Sequence, residues 1–415
     1  MTKVNPLTEK YISSMTAMAN HEAQKVALEN FKKRGLPHTK MEDWPYTKLS
    51  DVLPENISRV TSEADFKDIQ TPGKYLIAFS NGRFLESKSK LPAGLEIKKS
   101  EPDHKQANDD EADIFAMLNG VLNEETIFLS LAKDTVVDSP ISIVHYSNFE
   151  TEFVTPRIHI VAQKFSQADF VEIFHGENEK KYNVSAVTNF KVEDGAKISH
   201  VKVQIEGKSA FHVSSVNADI ERDANFTSFT FTTGAKKSRN EMRVRLNQPG
   251  GYASVDGLYA LGSEQHSDNN SLIAHIKEHT DSSQLFKGVL DDAARGVFTG
   301  KVLVCRDAQK VNSEQLNKNL LLTKKSHADT RPQLEVYADD VKCAHGATVG
   351  QMNEEETFYL QSRGIQKKRA QKLLLHAFCY EVIEKIENEE IKKYLSQTLF
   401  ESFEKETFAH LDERE

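Results

Sequence analysis

The segments ADFVEIFHG (168–176), AKISHVKVQ (196–204) and ANFTSFTFT (224–232) start 28 residues apart, and YASVDGLYA (252–260), TDSSQLFKG (280–288) and AQKVNSEQL (308–316) continue the series. A second column keeps the same step: Phe190, Ala218, Leu246, Ala274 and Val302, with Val192, Ile220, Gln248, Ile276 and Val304 beside it. These positions are mostly apolar, while the residues between them (Lys191, Asp219, Asn247, His275) are polar, the period-2 pattern of a strand with one face buried. A strand rises about 3.3 Å per residue, so two strands of about six or seven residues and two turns fill one such period. No single coil can bury its apolar face alone; stacking closes the core and pairs the backbone groups. The spacing therefore predicts a mainly β chain, a right-handed parallel β-helix with coils of about 28 residues. A β-sandwich is the alternative, but its strands recur every ~8–12 residues without a constant register.

Working outward, residues 1–125 read as an N-terminal helical region with a small hairpin, 126–348 as the β-helix core, and 349–415 as a C-terminal helical region. NPLTEKYISSMTAMANHEAQKVALENFKKRG (5–35) has helical spacing and ends on Gly35, a C-cap residue. MEDWPYTKL (41–49), with the single tryptophan, reads as an anchored loop, and KYLIAFSNGRFLES (74–87) places Asn81-Gly82 between apolar runs, a hairpin signal. A short helix is expected over Glu111 to Leu122. Beyond the core, Asn353 with Glu356 three residues later resembles a capping box, and Gly364 stops that helix. Ala370, Leu373, Leu374, Ala377 and Phe378 then form one apolar stripe, and Ile391, Leu395, Thr398 and Leu399 another. These stripes pack on each other, or part of their surface docks a partner.

Composition narrows the function. At 415 residues the chain is 28% charged, its net charge is −9, and no run approaches the ~18 apolar residues of a membrane span. MTKVNPLTEKYISSM lacks the apolar core of a secretory signal, which places the chain in the cytoplasm as an expectation. An acidic balance argues against general nucleic-acid binding, which rewards dense Lys and Arg. Cys305, Cys343 and Cys379 are too few and scattered for a disulfide framework or a CxxC knuckle, and there is no GxxxxGK[ST], GxSxG or HExxH motif.

Candidate chemistry is sparse. Cys343 and His345 stand two apart, so on a strand they face one side with Cα atoms about 6.5 Å apart. They are the end of a strand, or two ligands of a metal or cluster site whose remaining ligands come from another chain, since a stable centre usually takes four. A catalytic thiol–imidazole dyad is the weakest of the three, for want of a residue to orient the histidine. GSEQHSDNNSLIAH (262–275) brings His266, Asp268, Asn269 and Asn270 together, either as an acid–base or metal cluster or as the hydrogen-bonded ladder usual in β-helices. His159, His175, His200 and His275 read as exposed strand positions, and Lys367-Lys368-Arg369 as a solvated helix face.

SRNEMRVRLNQPGG (238–251), GVLDDAARGVFTGKVLV (288–304), NKNLLL (317–322), PQLEVYADDVKCAHGATVGQ (332–351) and FYLQSRGI (358–365) resemble, in order, the motifs of the SufB/SufD family of iron–sulfur cluster assembly proteins. The likeness spans roughly residues 110–400, and MEDWPYTKL with the moderate length is similar to the shorter branch of that family. The resemblance implies a β-helix flanked by helices, and a non-enzymatic scaffold subunit that pairs with SufB and recruits the ATPase SufC through its C-terminal helical region. It also implies a transient cluster at the shared SufB interface, with none stably bound. The family's K-C-S-H-G-A-T motif maps onto Cys343 and His345, with Ala344 where many relatives have serine. ATPase docking maps onto Tyr359, Leu360, Arg363, Gly364 and Ile365. A homodimer in isolation, without nucleic acid or membrane partners, is also expected. The competing reading is a carbohydrate-active β-helix lyase or hydrolase; a hexapeptide-repeat acyltransferase is excluded by the 28-residue step.

Overall fold

The computed structural model describes residues 6–41, 44–48, 53–54, 57–59, 66–101, 114–148, 150 and 153–404. The expected loop residues Glu42, Asp43 and Leu49, and Glu111 to Asp113 of the expected short helix, lie outside them. The chain is a parallel β-solenoid of about eight turns flanked by helices at both ends. Its first sheet runs Arg83–Lys90, Tyr75–Ser80, Ile141–Ser147, Gln167–Gly176, Lys197–Gln204, Asn225–Thr232, Tyr252–Leu261, Asp281–Leu290, Val311–Leu321 and Val341–Gln351. The second runs Leu95–Ser100, Thr126–Leu131, Arg157–Ala162, Asn183–Val192, Phe211–Ile220, Lys237–Leu246, His266–His275, Arg295–Val304 and His327–Val336. Neighbours are parallel except at the N-terminal end, where Arg83–Lys90 and Leu95–Ser100 each turn back antiparallel.

Alternation explains the packing. Phe170, Ile198, Phe226 and Ala253 of the first sheet meet Phe190, Ala218, Val244 and Ile273 of the second in the lumen. Each fully buried large apolar side chain of this kind contributes about 1.5–3 kcal/mol. The outward row of the first sheet (Val171, Val201, Phe229, Leu258) is also apolar because helices cover it. The N-terminal helices α1 (Pro6–Met18), α2 (Glu22–Arg34) and α3 (Ile114–Leu122) cover Phe211 and Val213 on the second sheet. After the last strand come α4 (Glu354–Ser362), α5 (Lys367–Ile383) and α6 (Glu389–Glu404).

One corner of the solenoid is a column of left-handed residues: Asp134, Phe165, Gly195, Asp223, Gly250, His279 and Lys310, with φ between 54° and 78°. Each N–H donates to a carbonyl in the next coil's corner, from Asp134 to Lys164 (3.0 Å) through Phe165 to Asp194 (3.1 Å) up to Lys310 to Asp340 (2.7 Å).

The β-helix is as expected; its fixed 28-residue step is not. Paired residues of the first sheet, Ala168, Ile198, Phe226, Ala253, Ser282 and Ser313, are 30, 28, 27, 29 and 31 apart. In the second, Val187, Ser215, Glu241, Asn270, Thr299 and Arg331 step by 28, 26, 29, 29 and 32. Strands from Gln167 onward hold eight to eleven residues rather than six or seven, and the turns absorb the difference. A slip of one residue exchanges the two faces. His275, counted as outward, therefore pairs with Leu246 and Val304 on the inward row and is fully buried. His200 is buried as well, and His159 and His175 are half-buried.

At the C-terminal end, the Asn353 side chain accepts from the Glu355 and Glu356 N–H groups at 2.9 and 3.4 Å, which caps α4 as expected, and Gly364 takes φ 84° just past its end. The stripe of α5 is differently phased in part. Of the expected positions Ala370 is buried and Phe378 packs against the sheet cluster, but Leu373 and Ala377 are exposed, and Leu375, Cys379, Val382 and Ile383 form the rest of the buried face. On α6, Ile391, Leu395 and Leu399 are buried, as expected.

Candidate functional site

The solenoid is open at its C-terminal end. Val341–Gln351 is the last strand of the first sheet and His327–Val336 the last of the second, so each has a neighbour on one side only. Residues 341, 343, 345, 347 and 349 continue the inward row, because Cys343 pairs with Ser313 and His345 with Gln315, both buried in the lumen. With no further coil above them, His345 is exposed and Cys343 half-buried. Beside them Val336, Tyr337 and Val349 are exposed at 39%, 61% and 45%, an apolar rim around the mouth.

Polar stacks in the lumen lead up to these two residues. Gln315 Nε2 donates to Gln284 Oε1 (2.5 Å), and Gln284 Nε2 to Ser271 Oγ (2.6 Å). Gly300 makes room for this pair, since a methyl there would strike both amides. The Ser313 and Ser282 hydroxyls are 2.8 Å apart, and His275 Nε2 lies 2.9 Å from Ser282 Oγ. The ladder of Ser and Gln side chains thus ends in Cys343 and His345.

Cys343 and Cys305, read as distant in sequence, pack against the same small cluster of Val302, Val304, Ala308, Val311 and Ala338. Burial pushes both thiols up, with Asp307 adding to the effect at Cys305. Neither is a ready thiolate, so metal binding there must release a proton. Cys379 lies on the buried face of α5, its thiol pushed up to about 12 by burial. Among the described residues no group of three or more His, Cys, Asp or Glu side chains is arranged to hold a metal. What this chain offers at its mouth is two donors, not a complete centre.

The second expected site is the turn between α4 and α5. Tyr359, Arg363 and Gly364 are exposed and Leu360 and Ile365 half-buried. The Arg363 guanidinium lies over the Tyr359 ring, 5.4 Å from its centre, and the Ile365 N–H closes the turn on the Leu360 carbonyl at 3.2 Å. Phe358, which sequence reasoning passed over, is the most exposed large apolar residue at 71%, with Leu373 at 45% nearby in sequence on α5. Lys287 anchors α5: its buried ammonium donates to the Phe378 carbonyl at 2.7 Å and pairs with Glu381.

The family model described as SUF system FeS cluster assembly, SufBD core domain, matches residues 145–378, which run from the first solenoid coils through α5. The chain belongs to the SufBD family. It is similar to the iron–sulfur cluster assembly protein SufD of Escherichia coli, 28% identical over 376 residues, covering 88% of this chain and 89% of that one. A SufBD family protein of Synechocystis is 27% identical over 380 residues (85% and 84%), and one of Mycobacterium leprae is 30% identical over 275 (64% and 69%). No helix among the described residues is long and apolar enough to cross a membrane.

This SufBD chain also buries charges that the sequence reading overlooked. The Glu172 carboxylate lies in the lumen with His145 Nε2 at 2.9 Å and His200 Nε2 at 3.1 Å, and accepts from the Thr188 hydroxyl at 2.9 Å. Burial alone would raise this carboxyl, but the two imidazoles more than offset it and hold it well below the ordinary carboxylate range. One coil on, Lys202 lies 2.8 Å from His212 Nε2 and donates to Asn240 Oδ1 (2.5 Å) and Ser214; burial brings its ammonium down to about 7 against the opposing pull of Glu172 and Glu206. His266 and Asp268 fasten the tryptophan loop instead of binding a metal. Thr47 Oγ1 donates to Asp268 Oδ2 (2.5 Å) and lies 3.0 Å from His266 Nε2, while Arg239 pairs with Asp268 and stacks on Trp44 at 3.8 Å. Asn240 donates to Asn269 at 3.0 Å, the expected ladder. The legible signal was polar residues at inward positions: Glu172 between Phe170 and Phe174, and Lys202 beside His200 and Gln204.

Proposed function

We propose that this chain is a non-catalytic scaffold subunit of iron–sulfur cluster assembly that pairs with SufB through its open rim and recruits the ATPase SufC through α4 and α5. The observation that carries the reading is the mouth of the solenoid, where an edge strand with one side unpaired presents Cys343 and His345 near the exposed apolar residues Val336, Tyr337 and Val349. A strand edge of this length is a template for another chain, and Val341–Gln351 carries a single formal charge, Lys342, to discourage one. A thiolate and a neutral imidazole can hold iron or a nascent cluster as cargo, and an incomplete donor set lets it leave once the partner's ligands withdraw. SufB supplies the missing ligands; pairing also lowers the Cys343 thiol by placing it beside metal charge. ATP hydrolysis belongs to SufC. Its docking surface is the segment carrying Tyr359, Leu360, Arg363, Gly364 and Ile365 with Phe358, and α5 connects that surface to the sheet through Lys287. The cytoplasm is the expected compartment.

The test is co-expression with SufB and SufC, followed by pull-down and iron and sulfide analysis. The three chains should co-purify, and His345→Ala should leave the complex intact while lowering cluster yield at least tenfold. A His345→Ala complex that matures clusters at the unaltered rate sinks the rim assignment; polysaccharide cleavage by the purified chain would favour the lyase reading instead.

A further inference from the structure

Far from the mouth in sequence, the N-terminal hairpin, the end of α3 and the segment Phe153–Thr155 enclose a cavity of about 360 Å³. Its buried lining includes Ser80, Leu122, Asn123 and Phe153, and two ion pairs also line it, half-buried Arg83 with exposed Glu124 (3.2 Å) and exposed Lys99 with half-buried Glu125. The hairpin turn that shapes it is the expected Asn81-Gly82, both with positive φ (48° and 83°), and Asn81 clips it to the solenoid by exchanging hydrogen bonds with Asn148 at 2.9 and 3.1 Å.

Among the described residues, two donors on this lining have no acceptor: the Arg59 Nε–H and the Ser80 hydroxyl, both buried atoms. Ser80 is 3% exposed. The neighbouring polar groups are already used. Asn123 Nδ2 donates to the Glu125 and Thr155 carbonyls at 2.7 and 3.0 Å, and Glu125 accepts from the Phe84 N–H at 2.7 Å as well as from Lys99. Arg59 donates its Nη2 to two neutral carbonyls, Met18 at 2.9 Å and Val121 at 2.8 Å, and among the described residues no carboxylate is hydrogen-bonded to its guanidinium, which feels Glu124 only through space. Of the five charged lining residues, three are cationic (Arg59, Arg83, Lys99) and two acidic (Glu124, Glu125), which leaves one positive charge over. Leaving such a cation and two N–H or O–H donors dry is costly.

We propose that this cavity binds one small oxyanion, a carboxylate or a phosphate, whose oxygens accept from Arg59 Nε and Ser80 Oγ. The site is independent of the rim, and its failure would leave the scaffold reading untouched. Calorimetric titration of the full chain with acetate and with inorganic phosphate, with chloride as control at constant ionic strength, should show one saturable site for at least one oxyanion and none for chloride; the tighter of the two names the source. Arg59→Lys, which keeps the charge but removes the Nε–H, should weaken binding about tenfold or more, and Ser80→Ala about three- to tenfold, each with an unaltered circular dichroism spectrum. Should Arg59→Lys not fold, Ser80→Ala carries the test, because among the described residues its hydroxyl has no partner to lose. Absence of saturation by both oxyanions, or binding that Ser80→Ala leaves unchanged, overturns the proposal.

Discussion

The two ends of the solenoid are finished differently. At the N-terminal end both sheets close with antiparallel strands that carry charges along the exposed edge: Arg83, Glu86, Lys88 and Lys90 on one, Glu96, Lys98 and Lys99 on the other. Helices α1 to α3 pack against the second sheet, and the lumen contains buried polar clusters, Glu172 between two histidines being the clearest. At the C-terminal end the last strands stay parallel. His327–Val336 is blunted by Pro332, which lacks an N–H, whereas Val341–Gln351 has no such guard. One end carries charged edge strands and the other leaves a nearly uncharged edge strand unpaired. The same inward row thus contains structural polar groups deep inside and accessible donors at the mouth.

The contrast can be broken most forcefully at Glu172. Glu172→Ala leaves His145, His200 and Thr188 buried without their shared acceptor and should cost about 3–5 kcal/mol in denaturant unfolding; a loss below 1 kcal/mol would mean that water already reaches this part of the lumen. Acid probes how far burial extends toward the mouth. His275 lies two coils inside it, and burial lowers its imidazole to about 4. Between pH 6.5 and 4 the unfolded chain takes up a proton that the folded chain refuses, so stability falls on acidification, by on the order of 3 kcal/mol for this residue. His212 and His266, also lowered chiefly by burial, act in the same direction. His275→Gln should flatten the melting temperature against pH in that window; an unchanged slope would show the histidine to be solvated. The smallest effect belongs to the mouth itself. His345→Ala should change the stability of the isolated chain by no more than about 0.5 kcal/mol, because the side chain is exposed. A drop of several kcal/mol would mean that the rim is closed in solution by another copy.

Much of this fold is legible in the text because stacking repeats one demand, an apolar inward row, coil after coil. Phe170, Ile198 and Phe226 announce themselves in that way. The turns are not bound by the demand, so a fixed step drifts across the sheets, and His275 was set on the wrong face by one residue. The Glu172 and Lys202 network was hidden for a different reason: a buried ion is explained by its partners, and His145, His200, His212 and Asn240 come from other strands. At the rim, Cys343 and His345 could be placed on one face from spacing alone. That this face stands open, and that Cys305 shares the hydrophobic cluster under Cys343, depend on where the last coil ends. On α5 the stripe is right at Ala370 and Phe378 but off at Leu373 and Ala377, because the residues that pack on the sheet, Leu375, Cys379 and Val382, compete with an equally apolar neighbouring row.

The corner column of left-handed residues ties every turn to the one that follows it, from Asp134 through to Lys310. Such a chain can assemble by winding: a finished coil presents both strand edges and an aligned carbonyl at its corner, and the next coil is laid on that pattern as it leaves the ribosome. The N-terminal end is made first and the unguarded strand after every other coil, so the open edge exists only once the coils beneath it are in place.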